Sequence, residues 1–128
     1  MGTRSLTVFK DIDEEICVMY RQMDGYPDGH GKELTDFLDG MLIINGIGGD
    51  AKEGTHANGM SCLTAQVIAH FKNEFGIGGV YIYPAGTRDA GEEYIYTVSP
   101  GEAEDRREDR KVTVEVFEVY ENKTTKMI

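Results

Sequence analysis

A chain of 128 residues holds one domain and little more, and at that size it buries about two thirds of its unfolded surface, enough for a core without metal or disulfide staples. With 13 Lys and Arg against 23 Asp and Glu, a net charge of -10, it lacks the cationic groove that polymeric nucleic acid requires, although one or two arginines can still hold a small anion. Cys17 and Cys62 have no CxxC spacing and read as reduced thiols, no stretch reaches the roughly eighteen apolar residues of a membrane helix, and Met1 to Val8 lacks a signal peptide's apolar run; a cytoplasmic chain without membrane, metal or cofactor is expected.

In chain order, Leu6 to Lys10 alternate in the manner of a strand, Asp11 to Glu15 supply a turn, and Ile16 to Gln22 carry the return strand of a hairpin. From Lys32, the positions Leu34, Phe37, Leu38 and Met41 repeat at helical spacing, with Gly40 and Asn45-Gly46 at the fraying end. Residues 46 to 59 are glycine-rich and without hydrophobic period, which predicts a mobile loop. A second helix follows, capped by Asn58, with Met60, Leu63, Val67 and Phe71 on one face and Ala65 and Ala69 allowing close approach; Gly76, Gly78 and Gly79 end it.

Val80 to Tyr83 and Tyr94 to Val98 are β-prone and read as a second hairpin across the loop Pro84 to Glu92. Gly101 to Lys111 alternates charges and reads as a solvated connection, Val112 to Tyr120 as a last strand that breaks phase at Phe117, and the chain from about 122 as a frayed tail. The expected fold is therefore α+β over 1–128 as a single ligand-binding domain: a mainly antiparallel sheet of about five strands in the order ββααβββ, with two helices on one face.

Two loops have the composition of ligand sites. Tyr20 to Leu34 combines Arg21 leaving a strand, glycines at 25, 29 and 31 that admit a ligand against bare backbone, and a helix start whose amides favour anions. The same residues also make an ordinary strand-to-helix turn. Tyr81 to Asp89 sets Thr87 and Arg88 beside tyrosines, a pairing that can stack a base and bind a phosphate, or simply pack a hairpin. His30, His56 and His70 lack HExxH partners and no GxSxG elbow occurs; Asp24, Asp28 and His30 are the one group that could serve a metal-dependent nucleotide or phosphoester hydrolase. A role as a phage structural or interaction protein is the other open alternative.

Met1-Gly2-Thr3-Arg4-Ser5-Leu6-Thr7, Tyr20-Arg21-Gln22, Asp24-Gly25-Tyr26-Pro27, Gly29-His30-Gly31 and Tyr83-Pro84 with Gly86-Thr87-Arg88-Asp89 resemble the phage Thoeris anti-defence proteins of the first type. The resemblance implies a sponge that sequesters cyclic ADP-ribose isomers (glycocyclic ADP-ribose) made by TIR-domain proteins, without cleaving them. It further implies a separate pocket for cyclic oligonucleotides of the CBASS system, self-association into hexamers built from dimers, and action in the cytoplasm of an infected bacterial host. Carried over by residue, it assigns Arg21, Gly31 and Thr87 to the cyclic-oligonucleotide pocket, with Met23, Leu34 and Asp89 beside them. For the cyclic ADP-ribose pocket, chemistry selects Arg88 for the pyrophosphate and Tyr81 and Tyr94 for the adenine. Nanomolar capture requires about -12 kcal/mol, whereas two arginine contacts and one or two stacks give roughly 5 to 12 before immobilisation, so a neighbouring chain is expected to close the pocket.

Overall fold

The computed structural model describes residues 2–44, 55–101, 110–120 and 123–126. Strand β1 (Ser5–Asp11) and strand β2 (Glu14–Arg21) form the expected hairpin, with Leu6 opposite Tyr20 and Val8 opposite Val18 on one face, and Thr7 opposite Met19 and Phe9 opposite Cys17 on the other. Both faces are apolar because both are covered, so the strands read as nearly continuous hydrophobic runs. Helix α1 (Lys32–Leu38) stops before Met41, which is nonetheless buried, and the apolar residues that follow form a short strand β3 (Leu42–Ile44) rather than a fraying helix end.

Strand β4 (His56–Asn58) leads directly into helix α2 (Gly59–Phe75). Met60, Leu63, Val67 and Phe71 form its buried face as the spacing predicts, each side chain contributing roughly 2 kcal/mol by leaving water. Asn58 occupies the N-cap position but does not cap through its side chain, and Ala65 and Ala69 face outward instead of admitting a neighbour. Both helices lie on the same face of the sheet, where they enclose Phe9, Met19, Tyr96 and Val98.

Strands β5 (Val80–Pro84), β6 (Tyr94–Pro100), β7 (Arg110–Tyr120) and β8 (Lys123–Lys126) complete a strongly curled, mixed eight-stranded sheet, a half-barrel of order β4-β3-β7-β6-β1-β2-β5, with β8 on β7. The five-stranded, mainly antiparallel ββααβββ expectation is corrected: β1 pairs β6 in parallel and so does β3 with β4. The predicted hairpin between Val80–Tyr83 and Tyr94–Val98 does not exist, since β5 pairs β2 while β6 lies between β1 and β7. The cause is connection length. A tight hairpin takes two to five residues, whereas segment 85–93 can run back along a whole strand at roughly 3.3 Å per residue. It crosses the face opposite the helices as a strap over Leu6, Val8, Val18, Tyr20 and Ile95, with Ala90 packed on them.

The supposed frayed tail pairs as β8 with Phe117 to Tyr120. Of the loop expected over 46 to 59, residues 56–58 form β4 and Gly59 opens α2; the stretch 45–54, the charged run 102–109 and the remaining tail positions lie outside the described residues. Among the described residues no helix is long and apolar enough to cross a membrane.

Candidate functional site

Beyond β2 the backbone turns at Asp24, in a left-handed conformation at φ 60°, and the Gly25 N–H returns to the Thr3 carbonyl at 2.9 Å. Pro27–Gly31 then makes one over-wide helical turn, in which the Gly31 N–H reaches the Tyr26 carbonyl and the Lys32 N–H the Pro27 carbonyl, before α1 begins. Such turns cost regular hydrogen bonding and persist where side chains hold them. Here the holder is His30, fully buried between the rings of Phe71 and Tyr96, each at 4.9 Å between centroids.

Both imidazole nitrogens are engaged. Arg21 Nη1 donates to Nδ1 at 3.2 Å, and because a guanidinium only donates, Nδ1 accepts and Nε2–H donates to Thr7 Oγ1 at 2.7 Å. Burial first, and the Arg21 charge second, push the His30 pKa from 6.5 down to about 3, so the ring is neutral. Arg21 is itself 2% exposed: Nη1 donates to Glu33 at 2.7 Å, Nε donates to the Met23 carbonyl at 2.6 Å, and the guanidinium lies over Phe75 at 4.7 Å. The Tyr96 hydroxyl donates to the Gly25 carbonyl at 2.7 Å, and burial raises its pKa.

The tract read as an anion-receiving junction is thus braced from inside. Arg21 points into the chain, Gly31 sits against the Tyr96 ring, and Leu34 is part of the core; of this group only Met23 is openly exposed. His30 is buried and both of its nitrogens are engaged, by Thr7 and Arg21 rather than by Asp24 or Asp28. Among the described residues, no three His, Cys, Asp or Glu side chains are grouped to hold a metal ion.

The second predicted loop is the strap. Gly86 and Arg88 gather on Glu15, at the start of β2: Arg88 Nη2 donates to Oε1 at 2.6 Å, Nη1 donates to Oε2 at 3.3 Å, and the Gly86 N–H donates to the same carboxylate. This pairing holds the Glu15 pKa below the usual carboxylate range. Thr87 Oγ1 donates to the Pro84 carbonyl at 2.8 Å, closing the first turn of the strap.

Between the strap and strands β6 to β8 lies a cleft of about 690 Å³, with Arg88, Asp89 and Glu92 on one wall and Ile95, Thr97 and Phe117 on its floor. A second cleft of about 710 Å³ shares Gly91 with it and takes in Thr3, Arg4, Gln22 and Met23. A third, of about 600 Å³, lies on the helix side between α1 and β7.

Arg21 and Arg88 stand at opposite ends of β2, roughly 20 Å apart at about 3.3 Å per residue, so within one chain they do not share a pocket. Tyr81 and Tyr94 are likewise separated. Tyr81 lies beside Tyr20 on the strap face, 6.0 Å between centroids, with Lys72 Nζ 5.6 Å from its ring, whereas Tyr94 is half-buried on the helix face of β6, with β1 and β2 between the two. Sequence reasoning missed Thr97, Phe117 and Thr124 at the strap cleft, and Glu15 as the partner of Arg88. Only the length of the 85–93 connection hinted that another strand lay beneath it.

No family model, curated protein or solved structure matches this chain.

Proposed function

We infer that the protein is a non-catalytic sponge that binds and sequesters cyclic ADP-ribose isomers made by TIR-domain proteins, acting against Thoeris defence in a phage-infected bacterial cytoplasm. The observation that carries this reading is the strap cleft: about 690 Å³, within the range of small-molecule sites, with Arg88 on its wall and an apolar and aromatic floor. An arginine supplies the pyrophosphate contact, and Ile95 and Phe117 offer apolar surface to an adenine. Tyr81 is on the same face but stands on β5, with β1 and β2 between it and the cleft floor, and Tyr94 is on the other face, so neither lines this cleft.

The reading extends to cyclic oligonucleotides of CBASS defence in a second pocket. There Met23 offers contact area, while Arg21, Gly31 and Leu34 shape the loop that presents it. Asp89 lies two residues from Gly91, which borders both clefts, whereas Thr87 sits at the Glu15 end of β2, so a pocket that uses Thr87 with that loop would draw on the strap of a neighbouring copy, in keeping with the proposed hexamers built from dimers. The occupied nitrogens of His30 weigh against the hydrolase alternative, and no particular observation favours a purely structural phage role.

The test is to load the protein with a glycocyclic ADP-ribose isomer, remove free ligand, and heat the complex. Recovery of intact ligand in stoichiometric amount supports sequestration; a linear or hydrolysed product removes the sponge reading in favour of an enzyme.

A further inference from the structure

We propose that Glu15 is an internal substitute for a ligand phosphate: it holds Arg88, and the strap with it, until a phosphate-bearing small molecule in the cleft takes the guanidinium over. The proposal rests on the sponge reading only for the identity of the natural ligand. Its physical basis is the donor set around Glu15. Two guanidinium N–H groups and the Gly86 backbone N–H converge on one carboxylate, the combination by which loops hold phosphate oxygens.

The charges around the cleft favour the exchange. Among the described lining residues Arg88 is the one cation, set against the carboxylates of Asp89 and Glu92, with the Arg4 guanidinium beside Gly91 in the adjoining cleft. While Glu15 neutralises Arg88, that described lining offers an entering anion no uncompensated positive charge. Redirecting Arg88 from Glu15 to the anion supplies the missing positive charge.

The ion pair is suited to such a transfer. It lies at the surface, with side-chain exposures of 41% for Arg88 and 19% for Glu15, where a doubly charged oxyanion from solvent can reach the guanidinium and compete for it. Gly86 at φ 89° and Gly91 at φ 76° bracket the moving segment, both in the left-handed region that glycine adopts without strain. Across Gly91, Glu92 Oε1 accepts from the Ala90 N–H at 2.9 Å, so the second half of the strap keeps its own turn when Arg88 leaves Glu15.

The experiment compares wild type, Glu15→Gln, Glu15→Ala and Arg88→Gln, using inorganic pyrophosphate as the probe. Without ligand, amide hydrogen exchange in 86–90 is expected to quicken about tenfold in both Glu15 variants, with β1 amides unchanged as evidence of an intact fold. In titrations at pH 7, both Glu15 variants are expected to bind pyrophosphate about threefold to fivefold more tightly than wild type, and Arg88→Gln to lose binding. Equal or weaker binding by both Glu15 variants, or wild-type binding by Arg88→Gln, overturns the proposal. The two readings fail separately. Pyrophosphate exchange without capture of cyclic ADP-ribose removes the sponge and leaves the exchange, whereas capture with no gain on removing Glu15 does the reverse.

Discussion

Acidification from pH 7 to pH 5 is expected to destabilise the folded chain by about 2 kcal/mol through His30 alone. The native imidazole is neutral, with its pKa pushed from 6.5 to about 3 by burial and by Arg21, while the unfolded chain's imidazole titrates near 6.5. Between those values the unfolded state binds a proton that the native state refuses, so stability falls with falling pH by up to about 1.4 kcal/mol per unit. Integration from pH 7 to pH 5 gives about 2 kcal/mol, because the first half unit lies above the unfolded pKa. Glu15 has a depressed pKa, so its contribution is fully present well above the ordinary value of 4.5 and is lost as pH falls through and below that value, mostly beneath this window. The assay is urea unfolding at pH 7, 6 and 5, at fixed protein concentration, for wild type and His30→Gln. The variant is less stable at every pH, since Thr7 and Arg21 lose their partner, but its pH slope is expected to be shallower by the stated amount. Parallel slopes for the two proteins would falsify the neutral, doubly bonded histidine.

Three further perturbations probe the same architecture. Gly31→Ala places a Cβ 3.1 Å from Tyr96 Cε1 and 3.3 Å from its hydroxyl; because that ring is pinned, a loss of about 1–3 kcal/mol is expected in chemical denaturation. Tyr96→Phe leaves the Gly25 carbonyl without its donor and is expected to cost about 1–3 kcal/mol, with faster amide exchange at Gly25 to Gly31 as the local signature. Leu63→Ala, at a fully buried position on α2, is expected to cost about 2–5 kcal/mol, and a loss under 1 kcal/mol would contradict the packing of that helix on the sheet.

The parts of the fold that were legible in the sequence are those governed by local period. The β1–β2 hairpin follows from alternation around a short turn, and α2 from Met60, Leu63, Val67 and Phe71 at helical spacing. Strands β3, β4 and β8 are too short to carry a period, and the parallel contacts of β1 with β6 and of β3 with β4 join segments that no local pattern relates. The strap was mistaken for a hairpin loop because Val80–Tyr83 and Tyr94–Val98 are each good strands; only the length between them argued otherwise.

The candidate site divides the same way. Arg21, Gly31, Thr87 and Arg88 were legible as residue types that loops use for ligands. Their surroundings were not, because Arg21 is neutralised by Glu33 and braced by His30, while Arg88 rests on Glu15, 73 positions away in sequence. Burial turned the first arginine into a structural brace, whereas the second stays 41% exposed at the surface.

The central claim is tested most directly by calorimetric titration of a glycocyclic ADP-ribose isomer into wild type and Arg88→Gln. Nanomolar, saturable binding by wild type, weakened at least about tenfold in the variant, is the predicted result. Absence of binding by the wild-type protein would contradict it.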